Sequence, residues 1–154
     1  MPLTIESTRF GRIEVAPDSV IDFPHGLIGF DSRRFTLIAR DEQADFLWLH
    51  SLDDPSLALP VTDPRRFFAD FRAEIPEAER ERLGLPPLSD AEIYVTVRAS
   101  DQLEDFTANL RAPIIIAAGR GHQVVNQAPG ARLRAPLFEA LAADATPPAK
   151  RATA

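Results

Sequence analysis

Three histidines, His25, His50 and His122, are the side chains best suited to metal ligation or proton transfer in this 154-residue chain. Imidazole titrates near neutrality and is a common metal ligand. These three lie in separate segments, with no i, i+4 pair and no HExxH spacing. Their positions suggest partial burial for His50 and loop surface for His25 and His122; the competing reading is a small-ligand or metal-binding β-barrel that gathers all three. Cysteine is absent, which removes disulfides, thiol catalysis and thiolate metal sites. Adjacent carboxylates occur at Asp53-Asp54 and Glu104-Asp105, but Asp53-Asp54-Pro55 reads as turn chemistry rather than a general acid/base pair. No serine stands in a GxSxG setting. Gly119-Arg120-Gly121 lacks the lysine and the strand-to-helix context of a phosphate loop. With no nucleophile–base pairing legible, the sequence predicts neither an enzyme nor a cofactor.

The chemistry that does suggest itself is recognition. Phe67, Phe68 and Phe71 stand beside Asp63, Asp70 and Glu74, a pattern of aromatic anchors inside an acidic rim that suits a protein-binding edge. Taken one at a time, the same phenylalanines also read as core. Between Asp70 and Asp105 ten acids face four arginines, which accounts for the whole net charge of −6. Such a region repels nucleic acid and speeds encounter with basic partners; a solvated helix with ordinary surface acids is the plainer account. The arginines are not interleaved with aromatics along one stripe, so direct nucleic-acid binding is not expected.

The elements that must position these residues are mostly strands. Asn109 to Ala118 holds three consecutive isoleucines and reads as a strand buried on both faces, with Pro113 at its start. Gly119-Arg120-Gly121 is expected to turn the chain, and His122 to Val125 to return as a hairpin partner at the centre of the sheet. Further strands are expected at Leu3–Ser7, Arg12–Val15, Val20–Phe23, Phe35–Ala39, Phe46–His50, Leu57–Val61 and Ile93–Val97. Pro60 suggests that the sixth of these lies at an edge or a bulge. Asp70 to Ile75 alternates with period two, placing Phe71, Ala73 and Ile75 on one face. Asp63-Pro64 looks like a helix cap followed by a brief turn, and Pro76 to Leu83, closed by Gly84, is the clearest helix. Arg40 to Asp45 should link two strands, and Pro136-Leu137-Phe138 should form a last packed contact. Together these predict a mostly β fold, a single small antiparallel β-barrel-like or rolled sheet with one or two short helices. Residues 1–141 form the expected domain and 142–154 a flexible C-terminal tail. No apolar run is long enough to span a membrane and no leader follows Met1, so a cytoplasmic protein is expected.

Several motifs, taken in order, carry more than their individual chemistry. They are Phe10-Gly11, Phe23-Pro24-His25-Gly26-Leu27-Ile28-Gly29-Phe30, Trp48-Leu49-His50-Ser51 and Asp63-Pro64-Arg65-Arg66-Phe67-Phe68-Ala69-Asp70-Phe71. Asn109-Leu110-Arg111-Ala112-Pro113-Ile114-Ile115-Ile116 and Arg134-Ala135-Pro136-Leu137 complete the series. Their content and order from Phe10 to Phe138 resemble the flagellar assembly factor FliW family. The chain departs from that pattern at His50, Leu59 and Ala117, where the family tends to carry glutamine, phenylalanine and asparagine. The resemblance implies a non-enzymatic regulator that partners with flagellin and with the RNA-binding translational regulator CsrA; a monomer is expected when it is free. It further implies that once flagellin is exported the freed protein sequesters CsrA, relieving repression of flagellin translation. Competition with RNA and action from a separate allosteric surface both remain compatible with it.

Overall fold

The computed structural model describes residues 3–39, 46–99, 101–102 and 105–137. The Arg40–Asp45 link, Glu104, Phe138 and the segment 142–154 therefore lie wholly outside the described residues. Among the described residues there are eleven strands and one α-helix: β1 (Leu3–Ser7), β2 (Gly11–Val15), β3 (Ile21–Asp22), β4 (Arg34–Ile38), β5 (Leu47–Ser51), β6 (Ala58–Thr62), α1 (Glu77–Leu83), β7 (Glu92–Arg98), β8 (Thr107–Ala108), β9 (Ile114–Ala117), β10 (Arg120–Gln123) and β11 (Ala135–Pro136). Seven of them close a barrel in the order β3-β4-β5-β6-β7-β9-β10, the ring being completed by pairing of β7 with β9 and of β10 with β3. This is the mostly β, barrel-like fold that the sequence predicts.

Every neighbouring pair in the ring is antiparallel except β10 and β3, which are parallel. Parity requires it: strand direction cannot alternate all the way around an odd-membered ring. The parallel seam is short, with Arg120 opposite Asp22 and the Asp22 N–H donating to the Gly119 carbonyl at 2.9 Å. Packing closes what the ladder does not. Phe23, wholly buried, lays its ring against Gly121 and meets Phe35 edge-on at 5.2 Å. A β-carbon on Gly121 would stand 2.4–2.8 Å from atoms of that ring.

The isoleucine run fills two compartments. Ile114 and Ile116 point into the barrel with Phe23, Phe35, Leu49 and Val61. Ile115 points outward, where Ile93, Val124 and the apolar residues of α1 and its flanks cover it. Burial on both faces thus follows from the chain around α1, chiefly Phe71, Ile75, Leu85, Leu88 and Ala91 of its flanks with Leu83 of the helix itself, packed on that side. Each fully buried isoleucine contributes roughly 1.5–3 kcal/mol. A third cluster covers the outer side of β7, where Val95 and Val97 meet Phe67, Ala108, Leu110, Ala135 and Leu137.

Three expectations shift in detail. The β9–β10 turn is Ala118-Gly119, both at positive φ (53° and 76°), as a two-residue hairpin loop demands; Arg120 and Gly121 already belong to β10, because Gly121 is needed beneath Phe23. Pro60 sits inside the ring rather than at an edge, since β6 is paired on both sides. The β6–β7 ladder begins only at Val61, and opposite β5 the Trp48–Pro60 pair falls at a non-hydrogen-bonded position, so the missing N–H is not needed. Asp70–Ile75 forms no strand.

The strands β1 and β2 form a separate two-stranded sheet fastened to the barrel by polar and aromatic contacts. Phe10 meets Trp48 edge-on at 5.5 Å, the Arg9 guanidinium lies 4.5 Å from the Trp48 ring centroid, and Thr8 N–H donates to the Pro55 carbonyl. Ser7 Oγ lies 2.7 Å from His50 Nε2 in the buried joint. Among the described residues no helix is long and apolar enough to cross a membrane.

The backbone at Gly121 is not in the left-handed region, so replacement by alanine isolates the packing effect. Gly121→Ala is expected to destabilise the fold by about 1–3 kcal/mol through overpacking at the seam, read as a lower urea midpoint with an unchanged slope. Phe23→Leu in the same chain should restore part of that loss, and a midpoint no lower than wild type for Gly121→Ala would refute the role given to this contact.

Candidate functional site

Beyond the third cluster the chain leaves the 3-10 turn Pro64–Arg66 and runs extended from Phe71 to Pro76 without joining any ladder. One side chain takes the place of a partner strand. Asn126, buried just after β10, donates from Nδ2 to the carbonyls of Arg72 (2.9 Å) and Leu110 (3.1 Å). Its Oδ1 accepts from the N–H groups of Glu74 (2.8 Å) and Ala128 (3.0 Å). Gln127 N–H adds a bond to the Glu74 carbonyl at 2.7 Å. An asparagine amide, with two donors and an acceptor, can satisfy a strand edge in this way.

The pinned segment forms one wall of an open cleft of about 450 Å³, lined by Phe68, Asp70, Phe71, Arg72 and Glu74 and floored by Leu110. The opposite wall is residues 128–132, ending in Arg132. Of the six residues singled out from the sequence, the structure therefore brings Phe68, Asp70, Phe71 and Glu74 together. Phe68 and Phe71 are half-buried, packed on the third cluster with part of each side chain left to the cleft. Phe67 goes to the core, 6% exposed and stacked on Phe46 at 5.7 Å. Asp63 caps its own turn, accepting from Arg65 N–H at 2.9 Å and pairing with the Arg65 guanidinium, and does not line the cleft.

The rim is mixed in sign rather than uniformly acidic. Asp70 is exposed and makes no ion pair among the described residues, whereas Glu74 pairs with Arg72 at 2.8 Å. Arg132, brought across by the 128–132 segment, is distant in sequence from the rest of the cleft, and the punctuation Ala128-Pro129-Gly130 is the one sequence signal near it. The acids between Asp70 and Asp105 likewise divide among surfaces. Glu79 pairs with Arg82 on α1, while Asp90 and Glu92 join Asp18 at the end of the barrel where β7 begins.

The histidines do not converge, which overturns the reading that gathers all three. His50 is wholly buried, with Nδ1 2.7 Å from the Ser51 carbonyl and Nε2 facing Ser7 Oγ. A carbonyl only accepts, so Nδ1 carries a hydrogen; Ser7 Oγ accepts from the N–H groups of Arg9 and Phe10 and directs its own hydroxyl to Nε2. Both nitrogens are therefore engaged, and His50 is sealed more completely than partial burial suggests. His122 is no loop residue: it lies in β10 opposite Ile115, buried, its ring 6.0 Å from that of exposed His25. Among the described residues, no group of three or more histidines, cysteines or acids is placed to hold a metal ion.

Acid/base chemistry finds little purchase either. Hydrogen bonds from the Arg33 and Arg34 N–H groups and the Arg34 guanidinium hold Asp53 below its ordinary range, against the opposing effect of burial. The Ser56 N–H and hydroxyl do the same for Asp54. Burial and the Glu92 carboxylate push the Tyr94 hydroxyl up to about 12. Each of these groups keeps one protonation state around neutrality.

Two outcomes follow. Asn126→Ala leaves four backbone groups without their partner and should lower stability by at least about 2 kcal/mol. It should also speed hydrogen exchange at the Glu74 amide; protection there equal to wild type would show that the segment holds itself. His122 is depressed from 6.5, first by burial and then by the positive charges of His25, Arg120 and Arg82. Because the unfolded chain then binds the proton more readily, the fold loses stability as pH falls through and below 6.5. His122→Gln should flatten that loss in thermal melts across the range, and parallel wild-type and variant profiles would contradict it.

Comparison with known proteins bears on the whole of this architecture. The family model described as FliW protein matches residues 4–137. A flagellar assembly factor FliW from Caldanaerobacter subterraneus subsp. tengcongensis is 36% identical over 143 residues, 90% of this chain and 95% of the relative. The FliW of Bdellovibrio bacteriovorus is 33% identical over 142 residues, covering 90% of this chain and 81% of the relative. A crystal structure of the flagellar assembly factor FliW superposes with a TM-score of 0.78 at 26% identity, covering 88% of this chain and 96% of the other. With motif order, barrel topology and these likenesses in agreement, the chain belongs to the FliW family of flagellar assembly factors.

Proposed function

We propose that this protein is a non-enzymatic, cytoplasmic regulator of flagellar assembly that binds flagellin and, when free of it, binds CsrA and relieves repression of flagellin translation. Family membership supplies the setting, because an assembly factor acts by holding protein partners rather than by transforming a substrate. The observation that carries the reading to particular residues is the cleft between Phe68, Phe71 and Leu110, where aromatic surface stays accessible beside carboxylates. Half-buried aromatics on a fixed backbone suit anchoring, since little conformational freedom is lost when a partner covers them. Asp70 and Glu74 at the rim would meet the basic RNA-binding surface of CsrA, and the net charge of −6 favours encounter with it. The working unit is a monomer, with residues 1–141 as the binding domain.

Reversing both carboxylates, Asp70→Lys with Glu74→Lys, is expected to weaken CsrA binding tenfold or more, about 1.4 kcal/mol. Thermal stability should stay near wild type, because neither side chain is buried. Calorimetry on the folded double variant decides the matter, and an unchanged affinity removes this surface from the reading.

A further inference from the structure

We propose a second docking surface, distinct from the Phe68–Phe71 cleft: an apolar groove at one mouth of the barrel that takes a peptide segment carrying apolar anchors and carboxylates. The groove measures about 530 Å³ and lies where β7 and β10 end and β9 is about to begin, with Leu59, Thr96, Ala112 and Gln123 along its base. Its rim holds Ile28, Phe30 and Leu133, which are 65%, 40% and 56% exposed. Those are three of the five large apolar side chains exposed among the described residues, gathered on one feature. Scattered apolar exposure is ordinary, whereas clustered exposure marks a contact surface.

The rim is held in place. Phe30 N–H donates to the Leu27 carbonyl at 3.1 Å, closing a turn in which Gly29 takes φ 90°. Ile28 N–H donates to Gln123 Oε1 at 2.9 Å, and Gln123 Nε2 donates to the Ala112 carbonyl. One glutamine thereby ties the outward-pointing turn to the β9–β10 hairpin, so the apolar side chains are presented in advance of any partner.

Charge identifies the occupant. Arg98 and Arg134 line the groove, both exposed; among the described residues neither is in an ion pair and no carboxylate lines the groove. On a chain of net charge −6 this is a local reversal of sign. A segment that places apolar side chains between Ile28, Phe30 and Leu133 while directing carboxylates to the two guanidiniums satisfies both features; a basic or purely apolar segment satisfies one at most. At the other end of β7 and of the hairpin, Asp18, Asp90 and Glu92 give the opposite sign, so such a segment is steered to one mouth only.

The test uses the full chain, labelled with nitrogen-15, and a short amphipathic peptide of leucine and glutamate, with its leucine–lysine counterpart as control. The glutamate peptide should shift the amides of Ile28, Phe30, Arg98, Leu133 and Arg134 and bind at least tenfold more tightly than the lysine peptide, less so at high salt. Arg98→Glu with Arg134→Glu should reverse the preference, while Asp70→Lys with Glu74→Lys should leave it intact. Equal affinity for the two peptides, or shifts confined to the Phe68–Phe71 cleft, would overturn the proposal. Two further results would also overturn it by assigning another occupant. One is a self-associated chain that Ile28→Ser with Leu133→Ser converts to monomer, by sedimentation. The other is peptide binding that appears only after Phe138→Ser with Leu141→Ser, which would give the groove to the chain's own terminus.

Discussion

Seven strands cannot alternate in direction all the way around a ring, so somewhere two neighbours must run the same way. Here that place is the meeting of β10 with β3, and it has the shortest ladder in the barrel. Parallel pairing so brief contributes little by hydrogen bonding alone. Closure instead depends on the Phe23 ring filling the space above Gly121, with Phe35 at its edge and Ile114 and Ile116 in the same cluster. A glycine in a strand interior ordinarily weakens it, and its presence at this seam reflects close approach of another group.

From that closure the positions of the surfaces follow. Holding β10 against β3 fixes the β9–β10 hairpin, and the hairpin carries Asn126 just beyond its end. Asn126 in turn sets the extended segment from Phe71 to Pro76 at one edge of the third cluster, where Glu74 and Arg72 face outward. Gln123, in the same hairpin, fixes the turn that presents Ile28 and Phe30 at the barrel mouth. Two amides three residues apart thus connect a single hairpin to two clefts. On the far side, the β1–β2 sheet is fastened by the Ser7–His50 pair and by Phe10 on Trp48, so His50 works here as a buried hydrogen-bond link.

Most of the barrel was legible because its strands carry their own patterns. The isoleucine run, the β-rich stretch at Ile93–Val97 and the proline-to-glycine helix announce themselves without knowledge of partners. What escaped has a shared cause, namely dependence on residues far away in sequence. The strands β8 and β11 have two residues each, too few for any period to show, and exist because they pair with each other and cover Val97. Asp70–Ile75 has strand-like alternation but no strand beside it, its hydrogen bonds going to a side chain 52 residues from Glu74. The hairpin turn sits on Ala118 because Gly121 is required elsewhere, and glycine content alone does not say which glycine serves which need. At the cleft, the aromatic and acidic residues were readable as a local cluster, but Phe67 and Asp63 were drawn to the core and to a cap. Arg132 arrives from the opposite wall.

The segment 128–134 gives the two clefts a physical relation. Arg132 faces the Phe68–Phe71 side, whereas Leu133 and Arg134 line the barrel-mouth groove. One short strap thus forms a wall of each. The strap is anchored at three places: the Ala128 N–H donates to Asn126 Oδ1, the Leu110 N–H donates to the Arg132 carbonyl at 2.9 Å, and Ala135 pairs with Ala108 in β11 and β8. A partner that draws Leu133 toward its own apolar anchors acts on the same backbone that carries Arg132, whose carbonyl is bonded to Leu110 at the cleft floor. Separate surfaces joined by a shared wall can therefore influence one another without overlapping, provided the strap has two arrangements that the partners prefer differently.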